Sequence, residues 1–490
     1  MFNKNKSVLN NTRHHSVRRV TADQIDCKVL NAGRISFNTN STDPLQTVQL
    51  YVSETGSDTD GNGSQDKPFA TLARTLEDLS QTNWTGGANI FVDGNVVVAA
   101  NNFECPLTPS PGISGKSYEI SIKGANVSAE GLFTVSSLAS WSPGSLTTDL
   151  FTSITISPAS TTASAGKMIH FKSGGLAGLR VPIYSSTPTV LEILDTSGVS
   201  VGDQFEIETY PDSLSLTGPG QVVLSSLSSI PLCIRTLNLV SDGSFFTSTD
   251  RSGLLQLLGV KVDVPSGTCF FDTNLFAQGV WVTGGGCLQS ELVSRSFLSR
   301  VLVTGGSTLL DVGSISNINS VHTDIVSSSS LTYGVGNCKL FTVAVVGVLT
   351  FDRGCTGTAT AIGSDGGIMV TGNHFFLEDI EATGAVNGIT VTTSFTTMFG
   401  IQNLHDNSSY GIEASAGSFV GSNGCIIGEN GVAGIHATTG SAIRLPSSAG
   451  GTTVSGPVGP ATDCYRLNGG AVAAVNVSAS DVDFSNVAFF

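Results

Sequence analysis

The chain has 490 residues, of which 12% are charged, and its formal net charge is −15. Globular proteins average about 25% charged residues, so this composition, with 57 glycines, favours strands and tight turns. The longest apolar stretches, such as residues 340–351, are shorter than the roughly 18 residues of a transmembrane helix, and no membrane span is expected. Nine cysteines without CxxC or CxxH spacing argue against a disulfide framework and a zinc site.

A basic arm is predicted at residues 1–40. Residues 1–34 contain seven Lys or Arg and two Asp, whereas the remainder contains 16 Lys or Arg and 36 Asp or Glu. Such an arm suits an acidic protein lattice, a nucleic acid or a membrane surface, and the alternative is a solvated terminus. Residues 1–20 have no apolar run of the secretory type, so we expect synthesis in the cytoplasm. The predicted anchoring residues are Lys4, Lys6, Arg13, Arg18 and Arg19.

Residues 41–85 are predicted to begin the folded body with a strand and a helix. Val48–Ser53 alternates apolar and polar residues as a strand does, and residues 56–63 have the composition of a loop. Pro68 suits the first helical position, and the apolar residues that follow have helical spacing: Phe69, Leu72, Ala73, Leu76 and Leu79. Because an open stack of strands exposes unpaired edges, we expect this helix to cap the end.

Residues 86–480 are predicted to form a repetitive β body. A Gly-Ile pair recurs from residues 367, 388, 411 and 434, in steps of 21 to 23 residues. Apolar and polar residues alternate after each pair, as in a strand with one buried face. A repeat of this length without helices or an LxxLxL pattern favours a parallel β-helix over helical repeats or a leucine-rich horseshoe. One axis should then contain Ile368, Ile389, Ile412 and Ile435.

The turns between these coils support further predictions. Asn407 and Asn430 lie 23 residues apart in turn-rich sequence, so we expect them to stack in a side-chain ladder. The coils before the clear repeats are interpreted as less regular, with insertions predicted at residues 142–162 and 185–219 because these contain several prolines. The tail at residues 481–490 is predicted to seal the solenoid or to contact a neighbouring subunit.

Three short stretches near the first predicted strand carry a family resemblance. They are Leu50-Tyr51-Val52-Ser53, Thr55-Gly56-Ser57-Asp58 and Lys67-Pro68-Phe69-Ala70-Thr71-Leu72. Together they resemble the N-terminal part of pectin-lyase-like β-helix proteins, which include phage tailspikes and other virion surface fibres. The resemblance implies an all-β, single-stranded right-handed parallel β-helix and a homotrimer. Because the family includes lyases, hydrolases and proteins without catalysis, the resemblance fixes no activity.

A metal site is considered at the turn after the first strand. Asp58, Asp60 and Asn62 place oxygen side chains on alternate residues, as the opening of a calcium loop does. Position twelve of such a loop is normally a bidentate glutamate, but Phe69 occupies it here. The segment is therefore interpreted as a turn, and no metal is predicted. The chain has no phosphate-binding glycine loop or dinucleotide fingerprint, so no cofactor is predicted either.

Two pairs of side chains are candidates for catalysis. Asp406 and Glu429 lie one coil apart, and equivalent residues of adjacent coils are about 4.8 Å apart, near the roughly 5 to 5.5 Å between the carboxyls of retaining glycosidases. Both precede an asparagine at a turn, where acids commonly make local hydrogen bonds, and this favours a structural role. Glu413 and His436 share one register and are predicted to point outward as an acid–base couple, although earlier coils have Met or Thr there.

The favoured function is a structural one: a capsid-associated spike or fibre subunit on the virion surface, anchored by its arm and engaged in host attachment. Its expected partners are copies of itself, capsid or other virion proteins and host surface glycan; nucleic acid is not expected. One alternative is a polysaccharide depolymerase, a hydrolase or a lyase, acting on host glycan. Residues 354–443 contain seven acids and no Lys or Arg, so a polyanionic substrate would be repelled there. The other alternative is a non-catalytic glycan-binding adhesin.

Overall fold

The chain divides into two compact units, Met1–Leu45 and Gln46–Phe490. A computed structural model describes only parts of the second unit. The predicted basic arm and the tail at residues 481–490 lie outside the described residues. These are 47–81, 87–98, 103–105, 119–160, 164–195, 197–216, 222–224, 232–241, 246–248, 254–264, 269–272, 274–284, 288–289, 296–304, 308–310, 319–371, 374–422, 425–428, 430–438, 440–445, 453–454, 463–468 and 471–474.

The second unit is a parallel β-helix, as predicted. Each strand of the coils pairs in parallel with a strand one coil away, and three such ladders run through the unit, here named ladders A, B and C. The first strand, β1 (Val48–Ser53), belongs to ladder A, and the next coil contributes β2 (Ala88–Asp93) to ladder A, β3 (Asn95–Val98) to ladder B and β4 (Phe103–Cys105) to ladder C. The alternation of buried and exposed residues along these strands explains why the sequence forms them.

Ladder A is continuously paired from the first coil to the last described one. After β1 it contains β2 (Ala88–Asp93), β5 (Ile120–Gly124), β14 (Leu232–Arg235), and parts of β17 (Leu254–Val264), β19 (Asn274–Gly284), β21 (Ser296–Val303), β23 (Asn319–Ser327), β24 (Leu331–Val345), β25 (Leu349–Ser364), β27 (His374–Thr383) and β29 (Phe395–His405), then β31 (Phe419–Ser422), β34 (Ala442–Leu445) and β37 (Ala471–Ala474).

Ladders B and C use the rest of each coil. Ladder B contains β3, β12 (Ser213–Leu216), β15 (Asn238–Ser241), the last parts of β17, β19, β21, β23, β24, β25, β27 and β29, then β32 (Cys425–Gly428) and β35 (Thr453–Val454). Ladder C contains β4, β13 (Val222–Leu224), β16 (Phe246–Ser248), β18 (Cys269–Asp272), β20 (Leu288–Gln289), β22 (Thr308–Leu310), the first parts of β24 and β25, then β26 (Ile368–Thr371), β28 (Asn387–Thr392), β30 (Tyr410–Ser415), β33 (Ala433–Thr438) and β36 (Asp463–Asn468).

The predicted isoleucine alignment is confirmed in ladder C. Ile368 pairs with Ile389, Ile389 with Ile412, and Ile412 with Ile435. All four are buried in one apolar core. At roughly 25 cal/mol per Å² of buried apolar area, this interior is the main stabilising contribution to the coils.

The predicted asparagine ladder is also confirmed. Asn407 Nδ2 donates to Asn430 Oδ1 at 3.0 Å, and to the carbonyl oxygen of Ala382 at 3.3 Å. Asn430 Nδ2 repeats the second contact one coil later, with Leu404 O at 3.2 Å. Both asparagines are 1% exposed, so these bonds satisfy amides that would otherwise be buried without partners.

A single described helix, α1 (Leu72–Gln81), covers the first coil. Leu72, Leu76 and Leu79 are buried in the core that also contains the first strands, which confirms the predicted capping helix. The helix begins four residues after Pro68, because Thr71 Oγ1 accepts a hydrogen bond from Arg74 N at 3.1 Å and acts as the N-cap. Ala73, predicted on the buried side, is exposed.

An antiparallel barrel interrupts the coils between β5 and β12. Its strands close in the order β10, β7, β6, β11, β8, β9. The sequence analysis predicts irregular coils with loop insertions in this part of the chain; the structure instead forms a folded barrel with its own apolar core. The strands are β6 (Ser128–Trp141), β7 (Phe151–Ser157), β8 (Met168–Phe171), β9 (Arg180–Ser186), β10 (Val190–Ile193) and β11 (Gln204–Thr209).

The barrel packs against the outer side of ladder B. Leu302, Val326 and Ala344 point out of the β-helix and are buried in the barrel's core cluster. Arg300 Nη2 lies 2.9 Å from the Asp195 carboxylate, whose side chain is fully buried.

In the described part of the chain, no helix qualifies as a membrane-spanning segment.

Candidate functional site

Asp406 lies at the exposed end of β29, where its backbone has a φ of 55°. Its Oδ2 atom is 2.7 Å from His405 Nδ1. Glu429, its predicted partner, lies outside the described residues. The described contacts therefore connect Asp406 to a histidine of the same turn.

His405 also contacts a buried carboxylate of the preceding coil. Its Nε2 atom is 3.3 Å from Glu381 Oε1. Thr147 N and Thr148 N each donate to Glu381 at 2.7 Å, and both threonines belong to the loop between β6 and β7. Burial alone would raise the pKa of Glu381, but these hydrogen bonds hold it below its usual value. This network attaches the barrel to ladder B, and the sequence analysis did not identify it.

Glu413 and His436 are paired residues of β30 and β33, as their shared register predicts. His436 Nδ1 lies 3.4 Å from Glu413 Oε1, and Asn387 Nδ2 donates to Glu413 Oε2 at 2.6 Å. The imidazole ring packs against Tyr410 at a centroid distance of 4.2 Å and is only 7% exposed. The pair points outward but is covered, so its access to a substrate is restricted.

In the segment that resembles a calcium loop, Asp58 and Asn62 each accept hydrogen bonds from different nearby residues. Asp58 Oδ1 accepts from Ala70 N at 2.9 Å and Thr71 N at 3.0 Å, and its Oδ2 accepts from Thr71 Oγ1 at 2.7 Å. Asn62 Oδ1 accepts from Ser64. Asp60 is exposed. Asp58 thus stabilises the start of α1, where a negative charge is favourable.

One cluster in the described ranges has metal-ligand composition: His170, Glu206 and Glu208 on the barrel. Lys172 Nζ lies 2.7 Å from Glu206 Oε2, and Arg180 Nε lies 2.8 Å from Glu208 Oε2. Burial opposes ionisation of Glu208, but hydrogen bonds from His170 and Arg180 lower its pKa to about 2. The side chains of Lys172 and Arg180 already pair with these carboxylates, so the cluster fits an ion-pair network better than a metal site.

The outer side of ladder A carries aromatic residues that are exposed or half-buried, here called the aromatic row. In β27 the alternation buries Phe375 and Leu377 and turns His374 and Phe376 to solvent. The most exposed rings are Phe395, at 45%, and Phe341, at 42%. The row consists of Phe276, Phe297, Phe341, His374, Phe376, Phe395 and Phe419.

Several members of the aromatic row contact one another along the ladder, whereas Phe341 is flanked by Thr323 and Thr360. Phe395 stacks on Phe419 at 4.7 Å with an interplanar angle of 11°. Phe276 stacks on Phe297 at 5.0 Å. Exposed apolar surface in contiguous patches commonly marks a binding surface. The sequence alone does not predict the row, because phenylalanines in a β-helix are expected to be core residues.

No protein-family profile and no characterised protein sequence matches the chain. Three similar solved structures are the GH136 lacto-N-biosidase from Eubacterium ramulus, the tailspike gp61 of Pseudomonas phage phi297 and the mannuronan C-5 epimerase AlgE6 A-module of Azotobacter vinelandii. Their sequence identities are 11%, 10% and 10%, and their TM-scores 0.24, 0.25 and 0.28. They cover 87%, 74% and 80% of this chain, and 68%, 70% and 92% of their own. One of these three structures is thus a phage tailspike.

Proposed function

We propose that the protein is a virion surface spike or fibre subunit that attaches to host surface glycan through the outer side of ladder A. The aromatic row is the observation that carries the glycan-binding role. Sugar rings present apolar C–H groups, and aromatic side chains offer them a large contact surface with a polarised face and edge. The row extends over coils from β19 to β31, so it could contact several sugar units of one polymer.

The virion location is supported by the sequence. The segment at residues 50–72 resembles phage tailspikes, and residues 1–34 form a basic arm suited to an acidic lattice of capsid proteins. A homotrimer is the assembly that the same resemblance implies.

The described contacts favour binding over catalysis. A general acid requires a raised pKa, whereas hydrogen bonds lower the pKa of Glu381. Asp406 contacts His405, and Glu413 is held by Asn387. Glu381 and Glu413 therefore have structural partners, whereas Asp406 is exposed and its predicted partner Glu429 lies outside the described residues.

The aromatic row is tested by the double variant Phe341→Ser plus Phe395→Ser. An aromatic contact contributes about 0.5 to 1.5 kcal/mol, so losing two should weaken binding of purified host surface polysaccharide about tenfold. Calorimetric titration measures this affinity, and sedimentation analysis of the same samples should show an unchanged oligomeric state.

The matched control is Val386→Ser, since Val386 is 66% exposed in the turn between β27 and β28 and lies away from ladder A. It should bind like the unsubstituted protein. If the double variant retains full affinity, the row is not the binding surface; if it changes the oligomeric state instead, the row is a subunit interface.

A further inference from the structure

A cleft of about 440 Å³ lies at the first coil, on the outer side of ladder A. Its aromatic wall is formed by Tyr51 of β1 and Phe91 of β2, which pair directly in the ladder. The rings stack at 4.7 Å with an interplanar angle of 12°. Lys123 Nζ lies over Phe91, 4.5 Å from the ring centroid. On the other side of β1, Phe69 pairs with Val52 in parallel, so Pro68 stands in register with Tyr51 and also lines the cleft.

The polar side of the cleft is held in place by side-chain hydrogen bonds. Asp93 Oδ1 accepts from Asn126 Nδ2 at 2.8 Å, and Asp93 Oδ2 accepts from Ser53 Oγ at 3.1 Å. Asp212, which is 2% exposed, fixes the backbone on both sides of the cleft by accepting from Gly94 N and Asn126 N. The carboxylate of Asp93 is thus oriented before any ligand arrives, which reduces the entropy lost on binding.

The third side of the cleft is a tight turn. Ser64 and Lys67 form a bridge across it, which places Gln65 and Asp66 at the tip, both exposed and both lining the cleft. Gly63 anchors the turn with a φ of 74°, and a Cβ there would lie 2.7 Å from the Phe69 ring. The turn therefore packs closely on the core at Gly63, while Gln65 and Asp66 at its tip line the cleft.

We propose that this cleft binds one neutral pyranose residue of the host glycan, an inference that rests on the proposed function. The volume falls within the roughly 300 to 1,000 Å³ of small-molecule sites. Tyr51, Phe91 and Pro68 supply an apolar wall for the C–H groups of the sugar ring, and Asp66 and Asp93 accept hydrogen bonds from its hydroxyl groups. Two carboxylates facing one cleft disfavour an acidic sugar, because like charges repel and desolvation strengthens the repulsion.

The test is a ligand-observed NMR titration of the full chain with the methyl glycosides of glucose, galactose, mannose and glucuronic acid. At least one neutral glycoside should bind with a Kd on the order of 1 mM, and the glucuronide should bind at least about fivefold more weakly than the glucoside. Tyr51→Leu and Asp66→Ala should each weaken binding of the neutral glycoside at least about fivefold. Asp66 is exposed, so that variant should keep its melting temperature even if Tyr51→Leu does not.

Asp60→Ala is the matched control, because Asp60 is an exposed acid of the same region that does not line the cleft. Unchanged affinity in Asp66→Ala, absence of binding by every neutral glycoside, or tighter binding of the glucuronide would each overturn the inference. The Phe341→Ser plus Phe395→Ser variant separates the two proposals: it should bind methyl glycosides normally while losing polysaccharide. If only the inference about the cleft is wrong, the Phe341→Ser plus Phe395→Ser variant should still lose polysaccharide binding.

Discussion

At the scale of single residues, His405 joins two carboxylates that lie on different coils. Burial favours its neutral form, but the contacts with Asp406 and Glu381 outweigh burial and raise the pKa of His405 above its ordinary value of 6.5. Glu381 shifts the other way, to below 4.5. Each shift means that the folded state favours the charged form, and so each contributes stability over a definite pH range.

The predicted consequence is a pH dependence of unfolding. The contribution of His405 is fully present below pH 6.5 and is lost as the pH rises through its raised pKa. The contribution of Glu381 is present above pH 4.5 and is lost as the pH falls through its lowered pKa. The urea midpoint should therefore decline from about pH 6 to about pH 8, and His405→Asn should flatten that decline. His374→Asn, which alters an exposed histidine of the aromatic row, should leave the decline intact; equal slopes in both variants would contradict the assignment.

Residue periodicity predicted some of these contacts and not others. Asn407 and Asn430 are separated by one coil, so their stacking could be derived from the repeat. His405 and Glu381 are also about one coil apart and were missed, because Glu381 belongs to a strand whose outer side is covered. That cover includes Thr147, which is 234 residues away in sequence, and no local pattern predicts such a contact.

At the scale of elements, the barrel depends on glycines at the bends of the long strands. Gly259 and Gly279 have φ angles of 61° and 62°. A Cβ at Gly279 would lie 1.9 Å from the Arg180 carbonyl oxygen, and one at Gly259 would lie 2.2 Å from Arg180 Cδ. These bends therefore provide the space in which β9 of the barrel approaches the β-helix.

Gly279→Ala should destabilise the protein more than a strained backbone alone would. A left-handed conformation costs a non-glycine residue about 1 to 2 kcal/mol, and here the methyl group would also collide with backbone. Gly417→Ala is the matched control, since Gly417 has a φ of 78° and nothing within 4 Å of its Cβ position. Urea unfolding should show a loss of about 1 to 2 kcal/mol in the control and a clearly larger loss in Gly279→Ala. Equal losses of unfolding free energy in the two variants would mean that β9 can move away from Gly279 at little cost.

The barrel was not predicted because its strands alternate like those of the coils, and sequence alone does not reveal antiparallel pairing. However, the sequence of one strand in ladder B does indicate where the barrel packs. Val301, Leu302 and Val303 are all buried, although a strand with one solvent-exposed side should alternate. A continuous apolar run indicates a strand covered on both sides, and this one lies where the barrel packs.

At the scale of the whole molecule, the outer side of ladder A combines the two proposed glycan contacts. Tyr51, Phe91 and Phe341 occupy one column of paired residues that runs through the intervening coils. The repeat predicted the coils, yet it did not identify this side, because the Gly-Ile pairs on which it is based belong to ladder C and not to ladder A. Only the ladder shows which phenylalanines face out.

The uneven charge of the chain predicts that the arm, and not the acidic body, attaches the protein to a particle. Residues 1–34 carry a balance of +5 and the remainder −20, so the arm is the part suited to an acidic particle surface. Deleting residues 1–34 should leave a folded protein, since the described core begins at β1, but it should abolish incorporation into particles. Circular dichroism and co-sedimentation measure the two outcomes.

A charge-neutral arm separates electrostatics from length in this experiment. Replacing Lys4, Lys6, Arg13, Arg18 and Arg19 with Gln keeps the arm but removes the predicted anchoring charges. Attachment of the unsubstituted protein should weaken as salt rises, because exposed charges are screened over about 10 Å at 0.1 M, and the Gln variant should have lost most of that salt dependence. Normal incorporation of the deletion would show that the anchor lies in the β-helix, and normal incorporation of the Gln variant alone would show that the arm acts without its charge.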